Sequence, residues 1–163
     1  MKVYVDMDGV LVNFRKGLAP LLGSDDPESD IAVVEAMGQI KHTRLFWYNL
    51  EPFDNALTLL ATIKLKFGGY TILTAPLESD PSCATQKLDW CHKHLYSCRP
   101  DEIIVQSRKY LYATDWDDNP NLLIDDFGYN IKQWEEHGGI AIKHKDYKFD
   151  RTISELIKIN ADI

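Results

Sequence analysis

The chain has 163 residues, 45% of them hydrophobic and 26% charged, with a formal net charge of -7. That balance describes a globular, soluble chain of one domain with a sizeable core. The negative charge argues against a duplex-DNA or anionic-membrane surface, but leaves room for a small anionic substrate at a local cationic site.

The N-terminus enters a strand at once, so no signal peptide is visible, and no stretch is long enough to span a bilayer. Three cysteines, an odd number, fit reduced thiols and a cytoplasmic location. The first strand, from Lys2 to Val5, runs into Asp6-Met7-Asp8-Gly9. Gly9 allows a sharp turn, which crowds two carboxylates at the strand's carboxyl end. Two like charges so close are costly unless a cation or phosphate chemistry uses them. A calcium loop would continue with further acids and close on a Glu, whereas Val10-Leu11-Val12 follows here.

A turn and short helix are predicted from Val10 to about Ala19. A break follows over Pro20 to Asp30, with the loop signal Gly23-Ser24-Asp25-Asp26-Pro27. Ile31 to Gln39 is a short helix candidate. Residues 15–51 read as an insert between the first two strands, ending in the run Leu45-Phe46-Trp47-Tyr48-Asn49-Leu50 before Glu51-Pro52. Asp54 is the expected N-cap of a helix carrying Ala56, Leu60, Ile63 and Phe67, stopped by Gly68-Gly69. Tyr70 to Thr74 is the second strand. Asp80 or Ser82 caps a helix through Trp90 to about Tyr96. Glu102 to Val105 and Leu122 to Ile124 are the third and fourth strands. A helix carrying Ile131 and Trp134 ends at Gly138-Gly139, Ile140 to Ile142 is the fifth strand, and a closing helix spans Thr152 to about Asn160. Alternating strands and helices predict an α/β fold: a doubly wound, Rossmann-like, mostly parallel sheet with a small helical cap insert. Asp115-Trp116-Asp117-Asp118-Asn119-Pro120 reads as a solvated surface turn.

In such a sheet the carboxyl ends of the strands share one edge. Asp6 and Asp8 follow the first strand, Thr74 ends the second, Lys109 follows the third, and Asp125-Asp126 ends the fourth. These types suit phosphoryl transfer: carboxylates to hold Mg²⁺, a hydroxyl for phosphate oxygens, a lysine to offset charge. Each alone has an ordinary reading, as a strand-end cap, a solvated lysine or an acid pair at a helix start. Their joint placement carries the functional one.

Those four motifs, in that order, resemble the haloacid dehalogenase superfamily of phosphatases. Asp6-Met7-Asp8-Gly9-Val10-Leu11-x-x-Phe14, the run Phe46 to Pro52, Ile72-Leu73-Thr74-Ala75-Pro76, Lys87-x-x-Trp90 and Leu123-Ile124-Asp125-Asp126 resemble the 5'(3')-deoxyribonucleotidases. The chain departs from that family at Ala75, which replaces a phosphate-binding serine, in a shorter insert, and in a longer segment from Lys109 to Leu122. The resemblance implies Asp6 as nucleophile and Asp8 as general acid and base. It implies Mg²⁺ among Asp6, the Asp8 carbonyl and the Asp125-Asp126 pair, with the directly ligating member of that pair left open. Thr74, Ala75 and Lys109 would line the phosphate site. The implied substrate is a deoxynucleoside monophosphate. Another small phosphomonoester, such as a sugar phosphate, is the alternative, and a non-catalytic binding domain or a phosphatase of nucleic-acid ends stands further off. Homodimerisation is left open.

Phe14 with Phe46, Trp47 and Tyr48 either forms an aromatic slot for a base or packs the insert on the core. Cys91-His92-Lys93-His94, near Cys83 and Cys98, raises zinc, but on a helix His92 points away from Cys91 and His94, so a solvated helix end is the better reading.

Overall fold

The computed structural model describes residues 1–23, 26 and 29–161. Of the loop signal Gly23 to Pro27, Ser24, Asp25 and Pro27 lie outside the described residues. Five strands form one sheet: β1 (Val3–Val5), β2 (Thr71–Thr74), β3 (Glu102–Val105), β4 (Leu122–Asp125) and β5 (Ile140–Lys143), in the order β3-β2-β1-β4-β5. Every pairing is parallel, with Val5 beside Ile72 on one side and Ile124 on the other. β1, β2 and β4 are buried at every residue. Strands covered on both faces are expected to be such apolar runs rather than alternating ones.

Among the described residues six α-helices accompany the sheet: α1 (Phe14–Leu18), α2 (Asp30–Gln39), α3 (Ala56–Phe67), α4 (Cys83–His94), α5 (Gly128–Glu136) and α6 (Phe149–Lys158). On one face, Val3, Val5, Ile72 and Ile124 share a core with Leu59 and Ile63 of α3, Trp90 of α4 and Leu156 of α6. On the other, Tyr4, Leu73 and Leu123 meet Trp134 of α5. The Tyr4 and Trp134 rings pack edge to face at 5.5 Å, and Trp134 Nε1 donates to the Asn121 carbonyl at 3.1 Å.

Among the boundaries that differ from the sequence expectation, two helix starts have a physical cause. The N-cap of α3 is Asn55, not Asp54, and it makes no side-chain capping bond. A backbone turn from Ala56 N to Phe53 O at 3.1 Å closes that end instead. The closing helix starts at Phe149 rather than Thr152, because the Phe149 ring is held against His144 and Phe53, at 4.5 and 5.8 Å.

From β1 the chain winds outward through β2 to β3, then returns to β4 on the far side of β1. The winding direction therefore reverses between β1 and β4, the place where open α/β sheets form a crevice at their carboxyl edge. The insert leaves and rejoins the core at one narrow neck. Val12 bridges Pro52, Asn13 N donates to the Glu51 carbonyl at 2.8 Å, and Phe53 N donates to the Leu11 carbonyl at 2.9 Å. Trp90 Nε1 also donates to the Leu50 carbonyl at 2.8 Å. Among the described residues, no helix is long and apolar enough to cross a membrane.

Candidate active site

After β1 the backbone curls tightly. The amides of Val10, Leu11 and Val12 all point at the Met7 carbonyl, at 3.2, 2.8 and 2.9 Å. Gly9 makes the curl possible with φ +78, a left-handed conformation that L side chains rarely adopt. A Cβ there would also sit 2.0 Å from Asp126 Oδ2. The bare glycine thus lets the Asp126 carboxylate rest against the loop that bears Asp6 and Asp8.

Asp6, Asp125 and Asp126 each bring a carboxylate oxygen to within 4.8 Å of the other two, the only such grouping of metal-type ligands among the described residues. One buried lysine serves the group. Lys109 Nζ lies 2.7 Å from Asp6 Oδ1 and 2.7 Å from Asp125 Oδ2. Lys109 follows β3 in a short 3-10 turn, Lys109–Tyr112, which carries it under the carboxylates; it is no solvated lysine. Asp125 is further held by Phe127 N on Oδ1 at 2.8 Å and by Asn130 Nδ2 on Oδ2 at 3.0 Å.

The charge count leaves this group short of cations. Burial, then repulsion from Asp125, pushes the Asp6 carboxyl up to about 8 despite the nearby Lys109. Burial and Asp125 together push Asp126 up to about 6. Burial opposes the charge on Lys109, but Asp6 and Asp125 more than offset it, so the ammonium is held charged. Three crowded carboxylates answered by one ammonium are a donor set that fits a divalent cation such as Mg²⁺.

A second buried lysine completes the site. Lys87 Nζ donates to Asp8 Oδ2 at 2.8 Å, to Thr74 Oγ1 at 3.0 Å and to the Ala75 carbonyl at 2.7 Å, and lies 4.7 Å from the centre of the Trp47 ring. Asp8 Oδ1 is buried with no hydrogen-bond partner. The structure therefore brings Asp6, Asp8, Thr74, Lys109, Asp125 and Asp126 to one edge, with Ala75 present through its carbonyl. The Asp8 side chain belongs to the Lys87 pair rather than to the three-carboxylate group.

The sequence reading used Lys87 only in the Lys87-x-x-Trp90 resemblance and gave it no place among the site residues. The signal was there: Cys83, Gln86, Lys87, Trp90 and Cys91 form the buried stripe of α4, and a lysine on such a stripe needs buried partners.

The aromatic set behaves differently. Phe14 stacks on Trp47 at 5.6 Å and 16°, and Phe46 meets Trp47 edge to face at 5.1 Å. Phe46 and Trp47 are buried. Trp47 Nε1 donates to Asp80 Oδ2 at 2.9 Å, and the Trp47 and Tyr48 amides both donate to Gln86 Oε1. Trp47 is spent on fixing the insert to α4, while Phe14 and Tyr48 are half-buried, Tyr48 with Lys93 Nζ 4.6 Å from its ring centre. The cysteine and histidine cluster does not assemble. Cys91 is buried against the Met7 sulfur at 3.7 Å, and the His94 ring packs on Trp90 at 4.7 Å. The acidic turn is organised by Asp115, whose Oδ1 accepts from the amides of Asp117 and Asn119, while Trp116 is fully exposed.

No protein-family model matches the sequence, and no curated protein does. Solved structures do match. A hydrolase from Streptococcus pneumoniae TIGR4 is 14% identical with a TM-score of 0.62, over 94% of this chain and 97% of that one. The L-2-haloacid dehalogenase from Xanthobacter autotrophicus is 12% identical with a TM-score of 0.58, over 98% and 83%. A HAD-superfamily hydrolase from Ehrlichia chaffeensis is 15% identical with a TM-score of 0.55, over 96% and 97%. At these identities the likeness establishes the fold, an α/β Rossmann-like fold of the haloacid dehalogenase type.

Proposed function

We propose that this chain is a Mg²⁺-dependent phosphomonoesterase that works through an aspartyl-phosphate on Asp6. The observation that carries the reading is a pair of acids two residues apart, each tied to its own buried lysine: Asp6 to Lys109 and Asp8 to Lys87. An Asp6 oxygen attacks phosphorus and the bond to the ester oxygen breaks. The departing alkoxide needs a proton. Asp8 Oδ1, buried and unpartnered while Oδ2 is held by Lys87, is the atom placed to hold and deliver it. The same oxygen then takes a proton from the water that hydrolyses the acyl phosphate, which returns Asp6 and releases inorganic phosphate. Thr74 Oγ1, Lys87 and Lys109 face the transferring group as hydrogen-bond donors. Asp6, Asp125 and Asp126 would hold the Mg²⁺, which when bound screens the meeting of an anionic nucleophile with an anionic phosphate.

Some structures of this fold are haloacid dehalogenases, so halide displacement is the competing chemistry. A halide leaves as a stable anion and needs no proton, whereas an alkoxide does. Asp8 with its lysine, and a carboxylate group short of cations, have no task in halide displacement and clear tasks in phosphoryl transfer. Within phosphomonoesters, deoxynucleoside monophosphates are the leading class, with Phe14 as the remaining base contact. The burial of Phe46 and Trp47 favours, as second reading, a smaller ester such as a sugar phosphate. Phosphate release across deoxynucleotides, sugar phosphates and generic aryl phosphates, with Mg²⁺ and with EDTA, tests the proposal, with halide release from 2-haloacids as the opposing arm. Halide release without phosphate release would overturn it.

A further inference from the structure

We infer, resting on the acid role proposed above for Asp8, that Trp47 is a positioning residue: the face of its ring holds the Lys87 ammonium on Asp8, so that the insert helps to set the acid step. All three N–H groups of Lys87 have acceptors, on Asp8, Thr74 and Ala75. The Trp47 ring lies over Nζ, with 4.7 Å to the ring centre, inside the ~6 Å over which a cation is drawn to an aromatic face. That attraction is strongest for a desolvated cation, and Lys87 is 1% exposed. Trp47 is itself buried, so its ring is committed to this contact and to the insert rather than to a substrate base.

The ring is held in one orientation. Trp47 Nε1 donates to Asp80 Oδ2 at 2.9 Å, and the Trp47 amide donates to Gln86 Oε1 at 3.0 Å. Both acceptors are fixed in turn. Asp80 Oδ1 accepts from the Ser82 amide and hydroxyl at 3.0 and 2.7 Å, and Gln86 Nε2 donates to Ser82 Oγ at 2.7 Å. Asp80, Gln86 and Lys87 are buried with Trp47, and Phe14 stacks on its ring. The indole N–H bond fixes the plane of the ring, and so where its face points. Gln86 and Lys87 are neighbours on α4, so one turn of helix both grips the insert and reaches the acid. The two acids are thus served from different places. Asp6 is paired with Lys109, which follows β3 and also binds Asp125. Asp8 is paired with Lys87, which has an insert residue over it. A disturbance at Trp47 should spare attack by Asp6 and impair protonation by Asp8.

The test is kcat/KM of the whole chain, with Mg²⁺, for a simple alkyl phosphate and for p-nitrophenyl phosphate. Neither ester carries a nucleobase, and only the alkyl one departs as an oxygen that needs a proton. Trp47→Met removes the ring face and should lower the alkyl-to-aryl ratio of kcat/KM by about tenfold. A ring-fluorinated tryptophan at position 47 keeps the shape and the Nε1–H but drains the negative face. It should lower the ratio part of the way, further with each added fluorine, and it decides the matter if Trp47→Met fails to fold by circular dichroism. In a Lys87→Met background neither change should move the ratio further, because the group through which Trp47 acts is gone. Packing alone would lower the melting temperature and leave the ratio where it was. Phosphate release with a ratio that neither change moves, or that falls equally with and without Lys87, would overturn the inference alone. A wild type that releases no phosphate from either ester would overturn the proposed function and the inference with it.

Discussion

Replacing Lys87 by Met would remove a buried ammonium while keeping most of the side chain's length. The ammonium is 1% exposed and holds three acceptors, Asp8 Oδ2, Thr74 Oγ1 and the Ala75 carbonyl, at 2.8, 3.0 and 2.7 Å. Removing one partner of a buried ion pair costs about 3–5 kcal/mol, because the other charge stays behind. Asp8 keeps 29% of its side chain exposed, so water repays part of this and the low end, about 3 kcal/mol, is expected. Urea denaturation should show that loss, and adding Asp8→Asn should give some of it back through coupling between the two sites. In the proposed mechanism Lys87 holds Asp8 towards the leaving oxygen, so the loss should depend on how much that oxygen needs a proton. A simple alkyl phosphate should lose about a hundredfold in kcat, within the range of general-acid contributions. A p-nitrophenyl ester departs as a stabilised phenolate and should lose much less. The assay is therefore kcat for both esters at saturating Mg²⁺, in wild type and variant. Equal losses for both would mean that Lys87 only braces the fold. Unchanged stability and rate together would refute the reasoning.

Asp6→Asn should abolish phosphate release and raise the melting temperature of the metal-free protein, because it removes one of three crowded carboxylates; activity in a folded variant would remove Asp6 as nucleophile. The Asp6 carboxyl is raised from the ordinary 3.8 to about 8, so its contribution to metal-free stability is full below 3.8 and is lost as pH rises towards 8. Mg²⁺ should accordingly raise the melting temperature more at pH 8 than at pH 5, and a shift independent of pH would contradict the charge count. His144 is 1% exposed, bonded to Thr152 Oγ1 at 2.7 Å and, through burial, lowered from 6.5 to about 4. The fold therefore favours neutral imidazole, and its contribution, intact above 6.5, should fall by about 3 kcal/mol as pH drops towards 4, a slope that His144→Gln should lack on denaturation. Phe14→Ala should lower kcat/KM for a deoxynucleotide relative to p-nitrophenyl phosphate by about 1–3 kcal/mol if a base stacks there, and an unmoved ratio would favour the small-ester reading.

The strands and their acidic ends were legible in the sequence because residue character changes abruptly there, as where Leu122-Leu123-Ile124 gives way to Asp125-Asp126. Parallel order, with helices between, then brings those ends to one edge. Lys87 was less legible. Its partners come from the loop after β1 and the end of β2, and nothing local to α4 reveals them. Trp47 shows the converse. An aromatic next to a suspected site looks available until Phe14, Asp80 and Gln86 are seen to occupy it. Asp54 lost the capping position to Asn55 because a backbone turn already closed that end, a one-residue difference of the kind that propensity does not resolve.

The neck at Val12 and Pro52 makes the intervening stretch a cassette in the engineering sense. Its two ends are already pinned side by side, so a guest sequence placed there inherits a closed loop instead of having to close one. Each doubling of such a loop costs only about 0.6 kcal/mol in closure entropy. What a guest must keep is short: the Trp47 and Leu50 anchors that grip α4. The carboxylates and lysines stay behind on the host side. Under the proposed function, the chain is thus a scaffold on which substrate scope could be rewritten by exchange of one contiguous segment, without redesign of the reacting groups.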